Sequence, residues 1–389
     1  MKSFTFLVHN IYHMGGTTKS ISNLANILSE KGHPVKIISV FKARQKPYFD
    51  LNEKIEITSI IEYNKTFKGL TNILMNRINK YTPMLKPNII HPSEPGLHQF
   101  SSYIEKQIVR EIKNVDTDII IGTRASYNLL VAEYASNDVF KIGMEHMYLH
   151  AHDKQYQKDI LRIYNKLDLV TTLTNEDQQD YQQGLSHTKV IIVPNILNEI
   201  KYDVEKHNVI VAAGRFEQEK GFDLLIESIN SIQETMRKNY YHVELYGDGQ
   251  EKENYIQMIQ QYGISDLIEL KPTTNQLSKI LAKSKITAVP SKVEGFGLVI
   301  LEAMYQSNIV VSYKGCYGPE YLIEHERNGY LIEQQNIKYY GNQLAYIMEN
   351  YNGDEIQKMI EQAQIRSAQF DGEAIYHQFI ENINQYTQK

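Results

Sequence analysis

Short apolar runs alternate with amphipathic stretches along nearly the whole chain. Phe4–His9 reads as a buried strand, and Met14-Gly15-Gly16 follows as a turn. Thr17–Lys31 then places Ile21, Leu24, Ala25, Ile27 and Leu28 at helical spacing, and Gly32 predicts where that helix stops. Val35–Val40 and Ile55–Ile61 are further strand candidates, and Leu97–Asn114 has the pattern of one helix. Asp118–Gly122, Phe140–Glu145, Leu169–Thr172 and Val190–Val193 read as strands with helical segments between them. Apolar runs this short, with no polar alternation, are the mark of strands covered on both faces, as in a parallel sheet.

The alternation restarts after about 200 residues. Asn208–Ala213 is an apolar strand ending at Gly214, and Gly221–Arg237 is helical. Strands are expected at His242–Tyr246, Leu267–Leu270, Ile286–Pro290, Ile309–Ser312 and Gly329–Ile332. Helices are expected at Glu251–Tyr262, Gln276–Lys283 and Gly297–Gln306, with three more from Ile337 onward. Two successive series of this kind predict two doubly wound α/β domains. The expected boundary is the polar stretch Pro194–His207, between domains at 1–195 and 208–370. Open parallel sheets bind ligands beyond the carboxyl ends of their strands, so the loops there are the places to look for chemistry.

Composition narrows the class. The 389 residues are 42% hydrophobic and 22% charged, which excludes a disordered or fibrous chain. No apolar run approaches the roughly 20 residues of a membrane-spanning helix. The N-terminus turns polar after Val8, unlike a secretory signal. Cys316 is the single cysteine, so no intrachain disulfide or multi-cysteine metal site forms, and a cytoplasmic setting is expected. Tryptophan is absent, which leaves any aromatic platform for a sugar to the 28 tyrosines or to phenylalanine. The net charge of −5 conceals an asymmetry: residues 1–200 carry 23 Lys and Arg against 20 Asp and Glu, residues 201–389 carry 18 against 26. Between Tyr63 and Ser93, Lys65, Lys68, Arg77, Lys80 and Lys86 occur with no acidic residue, as suits an anionic partner.

Four segments carry candidate chemistry. Pro290–Met304 runs from a strand end through Glu294 and Gly295 into a helix that opens near Phe296-Gly297 and bears Glu302. A helix start offers free N–H groups and partial positive charge, its glycines allow close approach, and a carboxylate inside the helix can accept from both hydroxyls of a diol. The plainer reading is that Glu294 caps the helix and Glu302 faces solvent. Gly214–Gly221 also joins a strand to a helix, with Arg215 and Lys220 spaced to meet on one anion such as a diphosphate. Gly15-Gly16 precedes a helix but is neither a dinucleotide fingerprint nor a P-loop. Glu145-His146 ends a strand; His150 and His152 follow, without a carboxylate at metal-ligand spacing.

Together these segments resemble the retaining GT-B glycosyltransferases of family 4. Glu294 and Glu302, separated by seven residues, are similar to that family's paired-glutamate motif. Gly214-Arg215…Lys220-Gly221 resembles its donor-phosphate motif, and Gly15-Gly16 its N-terminal glycine loop. Gly318-Pro319-Glu320 and Asn328-Gly329…Leu331 are similar to its Pro-Glu…Asn-Gly stretch. The resemblance implies two Rossmann-like domains facing a central cleft, with residues 371–389 forming a helix that crosses back to the N-terminal domain. It implies transfer of a sugar from a nucleotide-sugar with retention, no metal and no cofactor. Arg215 and Lys220 would hold the diphosphate and Glu302 the ribose. Glu294, with the amides of Phe296, Gly297 and Leu298, would hold the donor sugar, and His146 would lie beside it. Glu145-His146 and the Gly318-Pro319-Glu320 variant are similar to enzymes that glycosylate wall teichoic acid, which points to a UDP-linked donor and a cell-envelope polymer or lipid-linked acceptor. Lys65, Lys68, Arg77 and Lys80, with an apolar stripe of Phe67, Leu70, Ile73, Leu74 and Ile78, would engage that acceptor or the inner membrane face, and no nucleic acid. A hydrolase fits poorly, because its two carboxylates must flank one sugar. A phosphorylase would need a phosphate acceptor or a pyridoxal lysine. The alternative is a non-catalytic nucleotide-sugar sensor or partner subunit of the same fold.

Overall fold

A computed structural model of the chain describes residues 1–42, 44–62 and 86–387. The basic-block residues Lys65, Lys68, Arg77 and Lys80, and the apolar stripe among them, lie outside the described residues. The chain forms two compact units: Met1–Ile196 together with Gly372–Lys389, and Leu197–Asp371.

Among the described residues the first unit holds seven strands: β1 Phe4–Val8, β2 Val35–Lys42, β3 Glu56–Glu62, β4 Ile119–Gly122, β5 Phe140–Met144, β6 Leu169–Thr172 and β7 Lys189–Ile192. All pair in parallel, in the order β3-β2-β1-β4-β5-β6-β7. Side chains alternate between the sheet's faces. Phe4, Phe6 and Val8 of β1, with Ile142 and Met144 of β5, enter one core layer. Leu7 and Ile120 enter the other, with Tyr127, Tyr156, Tyr164 and Tyr181. The helix Gly372–Thr387 belongs to this unit. Its Ile375, Phe379 and Ile383 complete the first layer, Lys31 pairs with Glu373 at 2.6 Å, and Gln378 donates to the Ile192 carbonyl at 3.1 Å.

The second unit repeats the plan with β8 His207–Ala213, β9 His242–Tyr246, β10 Ile268–Lys271, β11 Ser284–Val289, β12 Ile309–Tyr313 and β13 Tyr330–Ile332. These too are parallel, ordered β10-β9-β8-β11-β12-β13. In each unit the order reverses beside the first strand, so β1 and β4, and β8 and β11, flank a topological switch point, where crossovers leave in opposite directions and a crevice opens.

Three segments depart from the sequence reading. Leu97–Asn114 is not one helix: a short turn at Leu97–Gln99 stops at Phe100, and the α-helix Ser102–Lys113 starts afresh, its N-terminus capped by Ser101 accepting from the Ile104 N–H at 3.3 Å. Gly221–Arg237 breaks at Ile232 into Phe222–Ser231 and Gln233–Lys238. The Gly318-Pro319-Glu320 stretch, for which no element was expected, forms the short helix Tyr317–Leu322; a proline within the first turn of a helix forfeits no intrahelical bond there.

Candidate functional site

In the second unit, the loops after β8 and β11 meet at the switch point. The Lys292 and Val293 N–H groups both donate to the Glu219 carbonyl, at 2.8 and 3.3 Å, which ties the two loops by their backbones. Lys292 adds an ion pair with Asp223 at 2.8 Å. Gly221 makes the approach possible: its φ is +65°, and a Cβ there would lie 2.0 Å from the Pro290 carbonyl oxygen. Side chains rarely adopt that backbone region, and here none would fit.

Lys220 and Glu294 are brought together across this joint, Nζ to Oε2 at 2.7 Å, with side chains only 20% and 16% exposed. Ser291 donates to the same Glu294 oxygen at 3.4 Å. A pair so shielded keeps its geometry and is weakly screened by salt. Arg215 does not converge with Lys220 on one point. It turns to Glu219 at 2.7 Å, and its side chain is 65% exposed, where an ion pair contributes at most about 1 kcal/mol. Gly297 sits at φ +87° and opens the helix Leu298–Tyr305 with no side-chain cap, so the first N–H groups of that helix follow directly on Phe296 and Gly297. Glu302, on that helix, is 4% exposed, which overturns the solvent-facing reading of this carboxylate. Phe296 is buried beside Tyr321 and Phe370.

The short helix Tyr317–Leu322 buttresses this loop. A Cβ on Gly318 would fall 2.4 Å from both the Cα and the carbonyl oxygen of Phe296, so the two segments touch backbone to backbone. Glu320 accepts from the Gly315 N–H at 2.5 Å, and the Cys316 thiol donates to the Lys292 carbonyl at 3.3 Å. Burial pushes that thiol up to about 11, so it stays protonated and unreactive near neutral pH. These contacts were not foreseen; the glycine and proline between two strands were the signal.

In the first unit, Gly15-Gly16 opens the helix Gly16–Glu30. The backbone at Gly15 is extended, no side chain caps the helix, and a Cβ at Gly15 would meet nothing nearer than Thr18 Oγ1 at 3.9 Å. His146 lies just past β5. It lines a small cavity with Ser20, Met144, Leu173 and Asn195, and its buried Nε2 has no hydrogen-bond partner. Burial pulls its imidazole down to about 4, so the ring is neutral at physiological pH. The three histidines diverge: His150 pairs with Asp180, and His152 packs edge-on against Tyr156. Among the described residues no three His, Cys, Asp or Glu side chains are grouped to hold a metal ion.

The first unit's switch point carries a second cluster that sequence reasoning missed. Arg124, after β4, pairs with the buried Glu94, which also accepts from Tyr156 at 2.5 Å. His9, after β1, contacts the Tyr127 hydroxyl at 2.9 Å and Gln99 at 3.1 Å; burial and Arg124 lower its imidazole to about 4. Knowing that β1 and β4 are neighbours would have drawn attention to His9 and Arg124.

Residues 197–366, almost the whole second unit, match the family described as Glycosyl transferases group 1. A TarM variant from S. aureus, crystallised with fondaparinux, α-GlcNAc-glycerol and UDP, superposes over 100% of both chains with a TM-score of 0.76 at 18% identity. The fold is GT-B. A Haemophilus influenzae protein named as an uncharacterized glycosyltransferase is 24% identical over 355 residues, 90% of this chain and 91% of its own length. The poly(ribitol-phosphate) α-N-acetylglucosaminyltransferase of Staphylococcus aureus is 28% identical over 201 residues, 51% of this chain. That match covers 40% of the Staphylococcus protein. Within the GT-B plan, the joint of the β8 and β11 loops is the switch-point crevice of the C-terminal Rossmann-like domain.

Proposed function

We propose that this protein is a retaining glycosyltransferase that moves a sugar from a UDP-linked donor to a cell-envelope glycopolymer or glycolipid without a metal ion. The observation that carries the reading is the joint at the second switch point, where Lys220 and Glu294 lie 2.7 Å apart in a crevice that also opens a helix at Gly297. A cation, a carboxylate and a helix N-terminus so placed suit the three parts of a nucleotide-sugar: Lys220, with Arg215, the diphosphate; Glu302 the ribose; Glu294 and the amides of Phe296, Gly297 and Leu298 the sugar hydroxyls. By the same resemblance His146 and Gly15-Gly16 are assigned to the donor.

In transfer, the bond from the anomeric carbon to the diphosphate oxygen breaks, a bond to the acceptor oxygen forms on the same face, and the acceptor hydroxyl's proton passes to the departing diphosphate. Negative charge grows on the departing diphosphate, and preorganised cations act most strongly on charge that develops in the transition state. Lys220, shielded from water, is the better placed of the two. UDP in the TarM complex and the polyol-phosphate polymer in the name of the Staphylococcus relative support the donor and acceptor classes. The basic stretch holding Lys65, Lys68, Arg77 and Lys80 is assigned to an anionic acceptor or membrane face on its charge alone. No described helix is long and apolar enough to cross a membrane.

The test is a thermal-shift and turnover screen of nucleotide-sugars against polymer, lipid-linked and protein acceptors. A rise in Tm with UDP and with one UDP-sugar, and a product whose anomeric configuration matches the donor, is the expected result. Binding without transfer or donor hydrolysis in any pairing would overturn the enzymatic reading.

A further inference from the structure

Glu145 is a buried carboxyl group to which the reaction above gives no part. It follows β5, whose Ile142 and Met144 face the core layer containing Ile21 and Ile375. Alternation turns Glu145 to the opposite face and His146 back to the first. On that opposite face Glu145 Oε1 accepts from Asn128 Nδ2 at 2.8 Å and from the Tyr164 hydroxyl. Its own N–H donates to the Thr171 carbonyl at 2.9 Å. Asn128 in turn bridges to Tyr164 at 3.0 Å, and Tyr164 stacks on Tyr181 with centroids 6.1 Å apart.

Two glycines make room for this grip. A Cβ at Gly122, the last residue of β4, would lie 2.3 Å from Asn128 Oδ1. One at Gly143, in β5, would lie 2.7 Å from Leu167 and 3.3 Å from Asn128 Cγ. The sheet is thus thinned at β4 and β5 so that a polar side chain can pass close to it and hold the residue beside His146.

We propose that Glu145 is a positioning residue: held by Asn128 and Tyr164 on one face of the sheet, it fixes the peptide that presents the His146 imidazole on the other. This rests on the assignment of His146 to the donor. The same grip is sensitive to protonation. Burial pushes the Glu145 carboxyl up to about 7, against the two hydrogen bonds that pull it down; Glu94 and Asp177 push in the same direction as burial. Tyr156 and Tyr164 on one helix and Tyr181 on the next complete its surroundings, and burial keeps all three hydroxyls protonated. Hydrogen bonds to a carboxylate are roughly twice as strong as those to a neutral acid. The hold on His146 therefore tightens as pH rises through about 7, a range in which the imidazole itself, lowered to about 4, does not titrate.

The experiment compares wild type with Glu145→Gln, Glu145→Ala, Tyr164→Phe and His146→Ala. Histidine ring NMR is recorded from pH 5.5 to 8.5, with the His146 signals identified by their loss in His146→Ala. Turnover is measured with the UDP-sugar found in the screen, and UDP binding by calorimetry. In the wild type the His146 signals should shift with a midpoint near 7, and Glu145→Gln, which keeps an acceptor but not a proton, should remove that step. Glu145→Ala should lower kcat by ~10–100-fold, as expected when a placed group moves by about 1 Å, with the UDP Kd changed less than about twofold. Glu145→Gln should restore kcat to within about threefold of wild type below pH 6.5. If Glu145→Ala does not fold, Tyr164→Phe and Glu145→Gln carry the same NMR test. A pH step that persists in Glu145→Gln, or His146 signals unmoved in Tyr164→Phe, overturns the positioning role even if His146→Ala is inactive. Wild-type turnover in His146→Ala instead overturns the assignment of His146, whatever the NMR shows.

Discussion

The two switch-point regions share one strand plan and differ in how they hold charge. In the second unit, Lys220 pairs with Glu294 and Lys292 with Asp223 between the segments after β8 and β11, and Arg215 pairs with Glu219 within its own loop. In the first unit, burial decides the protonation state: His9 and His146 fall to about 4, and Glu145 and Asp177 rise to about 7. A shared strand plan therefore yields a region of ion pairs and a region of shifted protons. Water access makes the difference, since desolvation penalises whichever form is charged. The first unit's shifted groups respond to pH.

Replacing Lys220 with Ala should disrupt the second unit's ion pairs most severely. Losing a shielded charge-assisted contact costs on the order of 2–4 kcal/mol in kcat/KM, and Arg215→Ala should cost less because Arg215 is largely exposed. Steady-state kinetics at saturating and limiting donor check the order; equal losses would mean that Arg215 swings onto the donor. Next comes Gly221→Ala. With φ at +65° and Pro290 at 2.0 Å, the β8 and β11 loops must part, at a cost of about 1–3 kcal/mol, read as a lowered Tm and weaker UDP binding.

Asp177→Asn probes the shifted protons. Thr174 caps the helix by accepting from the Asp177 N–H at 3.1 Å and donates to the Asp177 carboxyl at 3.0 Å; burial, with Asp180 and Glu176 beside it, raises that carboxyl to about 7. The raised value means that the unfolded chain loses this proton first as pH climbs. The stability it contributes is thus fully present below about pH 4 and lost by pH 7. The Asn variant should gain on wild type across that window by about 1–3 kcal/mol in denaturant unfolding. His9 and His146 act oppositely, lending stability above about pH 6.5 that is lost as pH falls toward 4. The smallest expected effect is that of excess EDTA, which should leave transfer unchanged if Lys220, Arg215 and the helix starting at Leu298 supply the positive field; loss restored by Mg²⁺ would refute this.

The sequence made the alternation of strands and helices legible, because each buried strand is a short apolar run and Gly32, Gly214 and Gly297 punctuate it. It also pointed to Glu294, Lys220 and Gly221 through the loops that hold them. Spatial order was less accessible. Nothing local says that β8 lies against β11, so the Lys220–Glu294 pair, separated by 74 positions, was visible only as two motifs. Arg215 and Lys220 were expected to converge, but Glu219 captures Arg215 four residues away. The helical pattern across Leu97–Asn114 hid a break, since Phe100 is buried in extended backbone and only the Ser101 cap marks the new start. Glu145 and Asn128 gave no periodic signal at all, because their pairing depends on two glycines in separate strands.

The first unit is closed by a helix that the chain reaches only after the second unit, Leu197–Asp371, has been built. Until Gly372–Thr387 emerges from the ribosome, the surface destined for Ile375, Phe379 and Ile383, beside Phe4 and Leu28, stays open to water. At roughly 5–20 residues per second, that interval is about ten to forty seconds. The nascent N-terminal half must wait that long, a period suited to chaperone capture, before its last layer can be laid down.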